Sequence, residues 1–385
     1  MPKISVIIIS SVRPAPSSGG ELILHRHFVG QPAIDCIYHG DEPKNHSLRS
    51  LARKLLGRIG RTRWTRWTND VWVIWNGRWL DPLLPGSNSL GYPRTVVVTV
   101  AHGDACFAAM RFAKKNRLQL VTFFHDWWPD MPEIHPFLRP RLEQDFRDLY
   151  KASSVAFCVS TGMRETLGPH PGSEVLYPIP EDRADNCSPN ETLQISSGRP
   201  FRLLYAGNLA DYGEMLGTLL TALGGHTTLR LEVRGQNPPW SEEIQAEMRT
   251  NGLWVPFVER DALDSWLSTG DAFLVTQNFD LKQRRRMETN FPSKLPEYSR
   301  FGKPIIIWGP EYGSAAKWAR QEGSALCVTN PNPMALVHAL DKLAATPQLL
   351  KILAIRACRS ARSEFNPGRI QSFLIQKLND ACTIV

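Results

Sequence analysis

Short runs of apolar, largely β-branched residues alternate with helical patterns along the sequence, and this alternation restarts once. Apolar runs of this kind are typical of strands buried on both faces of a parallel sheet. The predicted strands are Ile4–Ser10, Ala33–Tyr38, Val71–Trp75, Thr95–Ala101, Leu118–Phe124, Ser154–Ser160 and Glu174–Tyr177, then Phe201–Ala206, Leu229–Val233, Trp254–Val258, Ala272–Thr276, Pro304–Trp308 and Ala325–Val328. The pattern predicts an α/β fold of two Rossmann-like, doubly wound domains that face a cleft.

A polar, turn-forming stretch at 180–200 separates the two series of strands. We therefore predict an N-terminal domain over residues 1–185 and a C-terminal domain over residues 200–365. We expect the C-terminal helix, residues 366–385, to pack back onto the first domain. A length of 385 residues agrees with two domains rather than one.

Composition narrows the cellular setting. No run approaches the roughly 20 apolar residues of a transmembrane helix, and the first strand lacks a signal-peptide cleavage site, so a cytoplasmic location is expected. The seven cysteines form no Cys-x-x-Cys pair, which favours reduced, mostly buried thiols over a disulfide framework or a zinc site. The net charge of +8 favours an anionic partner without choosing its kind.

The stretch from Asn290 to Pro304 is the strongest local signal for a binding site. Ser293 is a good N-cap for a helix whose free backbone amides could bind an anion. Lys294 adds a mobile positive charge, and Glu297, one turn later, could accept two hydroxyl hydrogen bonds from a ribose. An ordinary helix with a serine cap and a surface lysine is an equally simple interpretation of these residues alone.

The same stretch resembles the donor-binding helix of GT-B glycosyltransferases, especially the retaining family 4. It reads Phe-Pro-Ser-Lys, then Glu297-Tyr298, then Gly302-Lys303-Pro304. Further stretches that resemble this family, in the expected order, are Gly19-Gly20, His125-Asp126, Phe201–Leu209 and Trp308–Ser314. The resemblance implies transfer of a sugar, with retention, from a nucleotide-diphosphate donor to a saccharide or lipid-linked acceptor hydroxyl in polysaccharide or glycolipid biosynthesis. It favours a UDP-sugar as donor.

Site residues follow from the same resemblance, position by position. It implies that Glu297 binds the ribose and that Lys294 and Ser293 lie by the diphosphate. The full set of implied donor-binding residues is Gly19, Gly20, Asn208, Arg234, Ser293, Lys294 and Glu297. No Asp-x-Asp motif in a suitable loop is apparent, so we expect a reaction without a metal or another cofactor.

Two departures from the family pattern affect the site. Many members carry a carboxylate at the position of Thr289, where this chain has Glu288 one residue earlier, so Glu288 is the predicted sugar contact. Many also carry two cations in the loop that here reads Asn208–Gly213 and has none. The charge for the diphosphate must then come from Lys294, Arg234 or the Arg284–Arg286 cluster.

His125 and Asp126 end a predicted strand of the first domain, and we predict that both are catalytic. A histidine there can hydrogen-bond the donor sugar or the acceptor hydroxyl, with Asp126 orienting it. The alternative is a structural histidine that caps the loop. Asp130 and Glu133 follow closely and could instead supply a carboxylate to the acceptor.

Residues 47–67 combine arginines, lysines and tryptophans in an amphipathic pattern, which is typical of a helix on an anionic membrane surface. A helix packed on the sheet with a solvated basic face explains the pattern equally well. No nucleic-acid-binding module is recognisable, so no nucleic-acid partner is expected.

Two other functions stay open: a GT-B-type sugar-nucleotide epimerase, and a non-catalytic binding protein derived from a transferase.

Overall fold

The computed structural model describes residues 3–17, 19–40, 65–85, 94–182, 187, 198–256 and 260–383. Its contacts divide the chain into two compact units. The first unit comprises Met1–Ile179 together with Ile370–Val385, and the second comprises Pro180–Arg369. The last helix therefore belongs to the first unit.

The first unit contains a six-stranded, all-parallel sheet in the order β2-β1-β3-β4-β5-β6. Its strands are β1 (Ile4–Ile9), β2 (Ile34–His39), β3 (Thr95–Val100), β4 (Gln119–Phe124), β5 (Val155–Cys158) and β6 (Ser173–Val175). Its helices are α1 (Gly19–Phe28), α2 (Thr65–Trp75), α3 (Ala105–Asn116), α4 (Arg139–Ala152), α5 (Thr161–Leu167) and the last helix, α14 (Pro367–Thr383).

The second unit repeats this plan with the order β12-β11-β10-β7-β8-β9, again all parallel. Its strands are β7 (Phe201–Ala206), β8 (Leu229–Arg234), β9 (Trp254–Val255), β10 (Ala272–Thr276), β11 (Ile305–Trp308) and β12 (Leu326–Val328). Its helices are α6 (Gly213–Ala222), α7 (Glu242–Thr250), α8 (Arg260–Leu267), α9 (Arg284–Thr289), α10 (Lys294–Ser299), α11 (Ser314–Glu322), α12 (Pro333–Ala344) and α13 (Pro347–Arg362).

Both faces of the first sheet are covered, which explains why β1 and β3 are buried throughout and largely apolar. Ile7 and Ile9 of β1 belong to one core cluster, while Val6 and Ile8 belong to another. The second cluster includes Leu374 of α14, which is fully buried. Alternate side chains therefore enter opposite layers, as in any sheet packed between helices. The predicted α/β fold with two doubly wound sheets is confirmed.

Each strand order reverses once, and the reversal marks where a ligand can bind. In such sheets ligands lie at the carboxyl ends of the strands that flank the reversal. In the first sheet these strands are β1 and β3, and in the second they are β7 and β10.

One predicted strand is wrong. Val71–Trp75 was expected in the sheet, but it forms the second half of helix α2. A short apolar run cannot distinguish a buried strand from a helix by itself. Asp70 and Val73 are buried at helical spacing, which shows that this run follows a period of 3.6 rather than 2.

The expectation that all cysteines are reduced is wrong for one pair. Cys187 and Cys358 are joined by a disulfide across 171 residues of sequence. The bond fastens the segment at Cys187 to helix α13, and both residues pack on Ala361. Sequence spacing carries no information about a contact this distant, because the fold alone brings the two segments together. Separately, none of the described helices is long and apolar enough to span a membrane.

Replacing Leu374 by alanine is expected to destabilise the first unit selectively. Leu374 of α14 packs in the first unit, and Leu353 of α13 is a matched buried leucine of the second. Each truncation should cost about 2–5 kcal/mol of unfolding free energy through lost burial and the cavity left behind. Hydrogen-exchange mass spectrometry should show faster exchange in β1 and β4 for Leu374→Ala, and in β7 and β11 for Leu353→Ala. Faster exchange in β7 for Leu374→Ala would contradict this division.

Candidate functional site

Helix α10 is fastened to the end of β7 by the hydroxyl of Tyr298. This hydroxyl accepts a hydrogen bond from the backbone N–H of Ala206 (2.8 Å) and donates one to the carbonyl of the same residue (3.2 Å). The Tyr298 ring stacks on Phe273 of β10, with 4.7 Å between ring centroids. One side chain thereby joins α10 to both strands at the reversal of the second sheet.

Lys294, the first residue of α10, lies directly against the loop that follows β7. A Cβ atom at Gly207 would lie 2.3 Å from Cε and 2.6 Å from Nζ of Lys294, so only glycine leaves room for this side chain. The ammonium group lies over two aromatic rings, 4.7 Å from the centroid of Tyr205 and 5.7 Å from that of Tyr212. Lys294 thus brings a positive charge to the loop that has no cation of its own.

Burial lowers the pKa of Lys294 to about 8, although the nearby Asp211 carboxylate acts in the opposite direction. Desolvation disfavours the ammonium form, and the aromatic rings offset only part of this cost. An arriving anion would restore the lost stabilisation of the charge. A buried lysine with a lowered pKa at the reversal of a doubly wound sheet is a candidate anion-binding group.

The loops after β7 and β8 meet at their backbones. A Cβ atom at Gly235 would lie 1.9 Å from the carbonyl oxygen of Gly207, so this approach requires glycine. Asn208 is exposed beside it, and its side-chain oxygen accepts a hydrogen bond from the N–H of Ala210 (3.2 Å). The Arg234 guanidinium, by contrast, lies over the Trp266 ring at 4.4 Å. Both predicted donor-binding residues therefore stand at the same sheet edge, with Arg234 stacked on a neighbouring helix.

Glu297 is half-buried on α10 and pairs with Arg300 of the following turn, with 3.6 Å between Oε2 and Nε. Arg300 also pairs with Asp264 and Glu181, and its guanidinium lies over the Phe301 ring. One nearly buried arginine is therefore shared by three carboxylates, which holds the Glu297 side chain while leaving excess negative charge around it.

Glu288 and Thr289 lie at the end of helix α9 in different surroundings. Glu288 is half-buried and pairs with Arg284 (2.8 Å), whose guanidinium lies over the Tyr312 ring at 4.8 Å. Thr289 is fully buried, and its hydroxyl donates to the carbonyl of Arg285 (2.8 Å). The residue at the family's carboxylate position is thus part of the core, and the carboxylate of Glu288 stands beside an arginine.

The predicted capping role of Ser293 is wrong. Ser293 does precede α10, but its backbone is already helical and its hydroxyl makes no capping hydrogen bond. The helix starts instead from the turn at Pro292, whose carbonyl accepts from the N–H of Leu295 (3.0 Å). The Ser293 side chain is exposed, and Ser293 directly precedes Lys294 in the sequence.

In the first unit, the glycine loop and the β4 terminus lie side by side. A Cβ atom at Gly20 would be 3.8 Å from Nδ1 of His125, an ordinary contact that alanine would tolerate. Gly19, by contrast, has φ +57° at the start of α1, a conformation that favours glycine. The loop at Gly20 and the side chain of His125 are therefore neighbours within the first unit.

Burial lowers the pKa of His125 to about 4, and His27 and His102 nearby lower it further. The imidazole is therefore neutral at pH 7, with one nitrogen that donates and one that accepts. Asp126 follows, and its carbonyl accepts from the N–H of Trp128 (2.9 Å). The orientation of His125 by Asp126 and the roles of Asp130 and Glu133 stay predictions.

Several residues at these edges were not predicted from the sequence. Tyr205 and Tyr212 surround Lys294, His102 follows β3 at the reversal of the first sheet, and Gln277 follows β10 at that of the second. Their closeness to the carboxyl ends of β3, β7 and β10 was the available signal. Among the described residues, no group of three His, Cys, Asp or Glu side chains is placed to hold a metal ion.

No protein-family model and no curated protein sequence matches this chain. Solved structures do match it. HepE from Anabaena in complex with UDP has a TM-score of 0.64 and 14% identity, covering 98% of this chain and 100% of HepE. A glycosyltransferase from Rickettsia africae has a TM-score of 0.64 and 12% identity, with 100% of both chains covered.

The α,α-trehalose 6-phosphate synthase from Burkholderia multivorans has a TM-score of 0.58 and 14% identity, covering 99% of this chain and 97% of the synthase. These similarities extend over both units, and they include the two parallel six-stranded sheets. At identities this low the similarity is one of fold, and the chain has the GT-B fold.

Proposed function

We propose that this chain is a glycosyltransferase that moves a sugar from a nucleoside-diphosphate donor, a UDP-sugar, to an acceptor hydroxyl. The observation that carries the proposal is the side chain of Lys294, held over Gly207 at the reversal of the second sheet. This is where doubly wound sheets bind phosphates. HepE, which has the same fold, has been solved in complexes with UDP and with UDP-glucose.

The donor's leaving group sets the chemical requirement. When the bond between the anomeric carbon and the diphosphate breaks, negative charge grows on the departing oxygen, and fixed cations stabilise it. Lys294 is the proposed first source of that charge, with Arg234 and the Arg284–Arg286 cluster as further sources. Ser293 and Asn208 are proposed to hydrogen-bond the phosphates.

The remaining roles divide between ribose, sugar and acceptor. Glu297, held by Arg300, is proposed to accept the ribose hydroxyls, and Glu288 to bind the sugar. In the first unit, the neutral imidazole of His125 is proposed to hydrogen-bond the sugar or the acceptor hydroxyl, with Asp126 orienting it, while the Gly19-Gly20 backbone approaches the substrates. We further propose a retaining, metal-independent, family 4-like reaction in polysaccharide or glycolipid synthesis.

Replacing Glu297 by alanine is expected to weaken nucleotide binding. Binding of UDP, GDP, ADP and TDP should be measured by calorimetry on the wild type and on this variant. We expect UDP to bind best and Glu297→Ala to raise its Kd roughly 10- to 100-fold, because hydrogen bonds to a charged group contribute about 1.5–3 kcal/mol. Glu243→Ala, on exposed helix α7, is the matched control and should change nothing.

The outcomes of this experiment separate the candidate functions. Unchanged affinity in Glu297→Ala would place the ribose elsewhere. Wild-type protein that binds none of the four nucleotides would instead favour a non-catalytic binding protein. Isomerised donor sugar formed without any acceptor would favour an epimerase.

The affinity for UDP is expected to fall as the pH rises above 8. Because the pKa of Lys294 is about 8 in the free protein, its ammonium form predominates below that pH and is lost above it. The diphosphate favours the ammonium form, so binding above pH 8 takes up a proton and log Kd should rise by up to one per pH unit. Titrations at pH 7, 8 and 9 would measure this slope.

The variant Lys294→Met identifies the group responsible for that slope. It should bind UDP more weakly at pH 7 and show no slope near pH 8. Lys303 also has a pKa of about 8, but its ammonium group donates to the backbone carbonyls of Ser268 and Gly270, so its titration should affect stability instead. A slope that persists in Lys294→Met would assign it to another group.

Peripheral contact with an anionic membrane is also proposed, because helix α2 exposes an apolar stripe. Trp67, Ile74 and Trp75 lie on one side of the helix at spacings of seven and eight residues, with Trp67 56% and Trp75 47% exposed. Trp67 contacts His135, which contacts Phe137, itself 63% exposed. Residues 47–64 of the basic segment lie outside the described residues. Exposed tryptophans beside a basic sequence suit a lipid interface.

Flotation with vesicles containing phosphatidylserine should test this contact. We expect the wild type to float with anionic vesicles and to be released by high salt, because surface attraction is screened. The double variant Trp67→Ala/Trp75→Ala should float several-fold less, and Ile352→Ala/Ile355→Ala, which removes exposed apolar side chains from α13, should float like the wild type. Equal flotation of all three proteins would contradict the proposal.

A further inference from the structure

Gln277 is the first residue after β10, at the reversal of the second sheet, and its side chain is fully buried. Its backbone N–H continues the sheet by donating to the carbonyl of Trp308 at the end of β11 (3.0 Å). A polar amide is costly to bury unless its hydrogen-bonding groups are satisfied. The hydrogen-bond partners of this amide therefore show which parts of the structure it holds together.

The Nε2 group carries two hydrogens and lies within hydrogen-bond distance of three acceptors. These are the carbonyl of Met287 in α9 (3.0 Å), Oδ1 of Asn290 in the connection from α9 to α10 (3.0 Å), and Oγ of Ser314 at the start of α11 (3.3 Å). The Oε1 atom accepts from the backbone N–H of Ala315 (3.1 Å). A single amide thus joins the end of α9, the entry to α10 and the first turn of α11.

Two glycines keep this amide in place. A Cβ atom at Gly309 would lie 2.8 Å from Cβ of Gln277, and one at Gly313 would lie 2.4 Å from its Oε1. The loop between β11 and α11 therefore packs directly on the glutamine side chain. Packing of this kind fixes a polar group as firmly as its hydrogen bonds do.

We propose that Gln277 is a positioning residue for the nucleotide-sugar donor, an inference that rests on the proposed function. It touches none of the proposed donor-binding residues. It acts through Met287, the neighbour of Glu288, and through Asn290, which leads into Lys294. Its amide binds the chain just before and just after Glu288, ahead of Lys294 in the sequence. The distance between the proposed sugar contact, Glu288, and the proposed phosphate contact, Lys294, therefore depends on Gln277.

Replacing Gln277 by glutamate tests this role with almost no change in volume. An ionised carboxylate cannot donate, and a protonated one has a single O–H in place of two N–H groups, so at least one of the Met287 carbonyl and Asn290 Oδ1 would lose its donor and the turn would shift. We expect the Kd for UDP to rise about tenfold, since losing hydrogen bonds of this kind costs about 1–2 kcal/mol. Gln348→Glu is the charge-matched control: Gln348 is exposed on α13 and belongs to none of the proposed contacts, so UDP binding should be unchanged.

A double-mutant cycle with Lys294→Met distinguishes positioning from loss of folding. If Gln277 acts through the turn that leads into Lys294, the two substitutions are coupled. The loss of UDP binding free energy in the double variant should then be clearly smaller than the sum of the losses in the two single variants. A purely structural defect would lower the fraction of binding-competent protein and leave the Kd of that fraction unchanged. Additive losses, or an unchanged Kd in Gln277→Glu, would overturn the inference.

Asn290→Ala serves if Gln277→Glu does not fold. It removes only the acceptor of one hydrogen bond and should raise the Kd for UDP several-fold. An unchanged Kd in Asn290→Ala would likewise overturn the inference. If the wild type binds none of the four nucleotides, the proposed function is contradicted, and so is the inference that rests on it.

Discussion

The hydroxyl of Tyr298 and the backbone of Ala206 form the contact on which the candidate site depends. By bonding both the N–H and the carbonyl of one residue, the hydroxyl fixes helix α10 against the end of β7 in distance and direction. Burial raises the pKa of Tyr298 well above its usual range, so the hydroxyl keeps the proton it donates. Since Lys294 and Glu297 lie on the same six-residue helix, their placement follows from this contact.

Charge reaches the candidate phosphate position by an indirect route. The loop after β7 contains no cation, yet its bare glycine backbone admits the side chain of Lys294 from another element. A lysine delivered this way is partly desolvated before any ligand arrives, and its lowered pKa records that cost. Perturbed pKa values of this kind cluster at functional sites, which is why Lys294 is the centre of the proposal.

Much of the fold could be predicted from the sequence because its signals are local. β1 and β3 are mostly apolar and β-branched on both faces, and such a run indicates a strand covered on both sides. The prediction of a strand at Val71–Trp75 was wrong because a run of five residues is too short to distinguish the strand period of 2 from the helix period of 3.6. The Cys187–Cys358 bond and the contact of Lys294 with Gly207 join distant segments, so no local pattern could reveal them.

The motif did not reveal the contacts that each of its residues makes. Its serine makes no cap, its lysine crosses to another strand, its glutamate is held by Arg300, and its tyrosine carries the structural contact. The glutamine that holds the neighbouring turn lies outside the motif, and only its full burial distinguishes it from a surface polar residue. A helix this short cannot maintain its own geometry, because nearly all of its backbone groups belong to its ends. Its position is therefore set by tertiary contacts, above all by its own Tyr298 on the backbone of Ala206 and on the Phe273 ring.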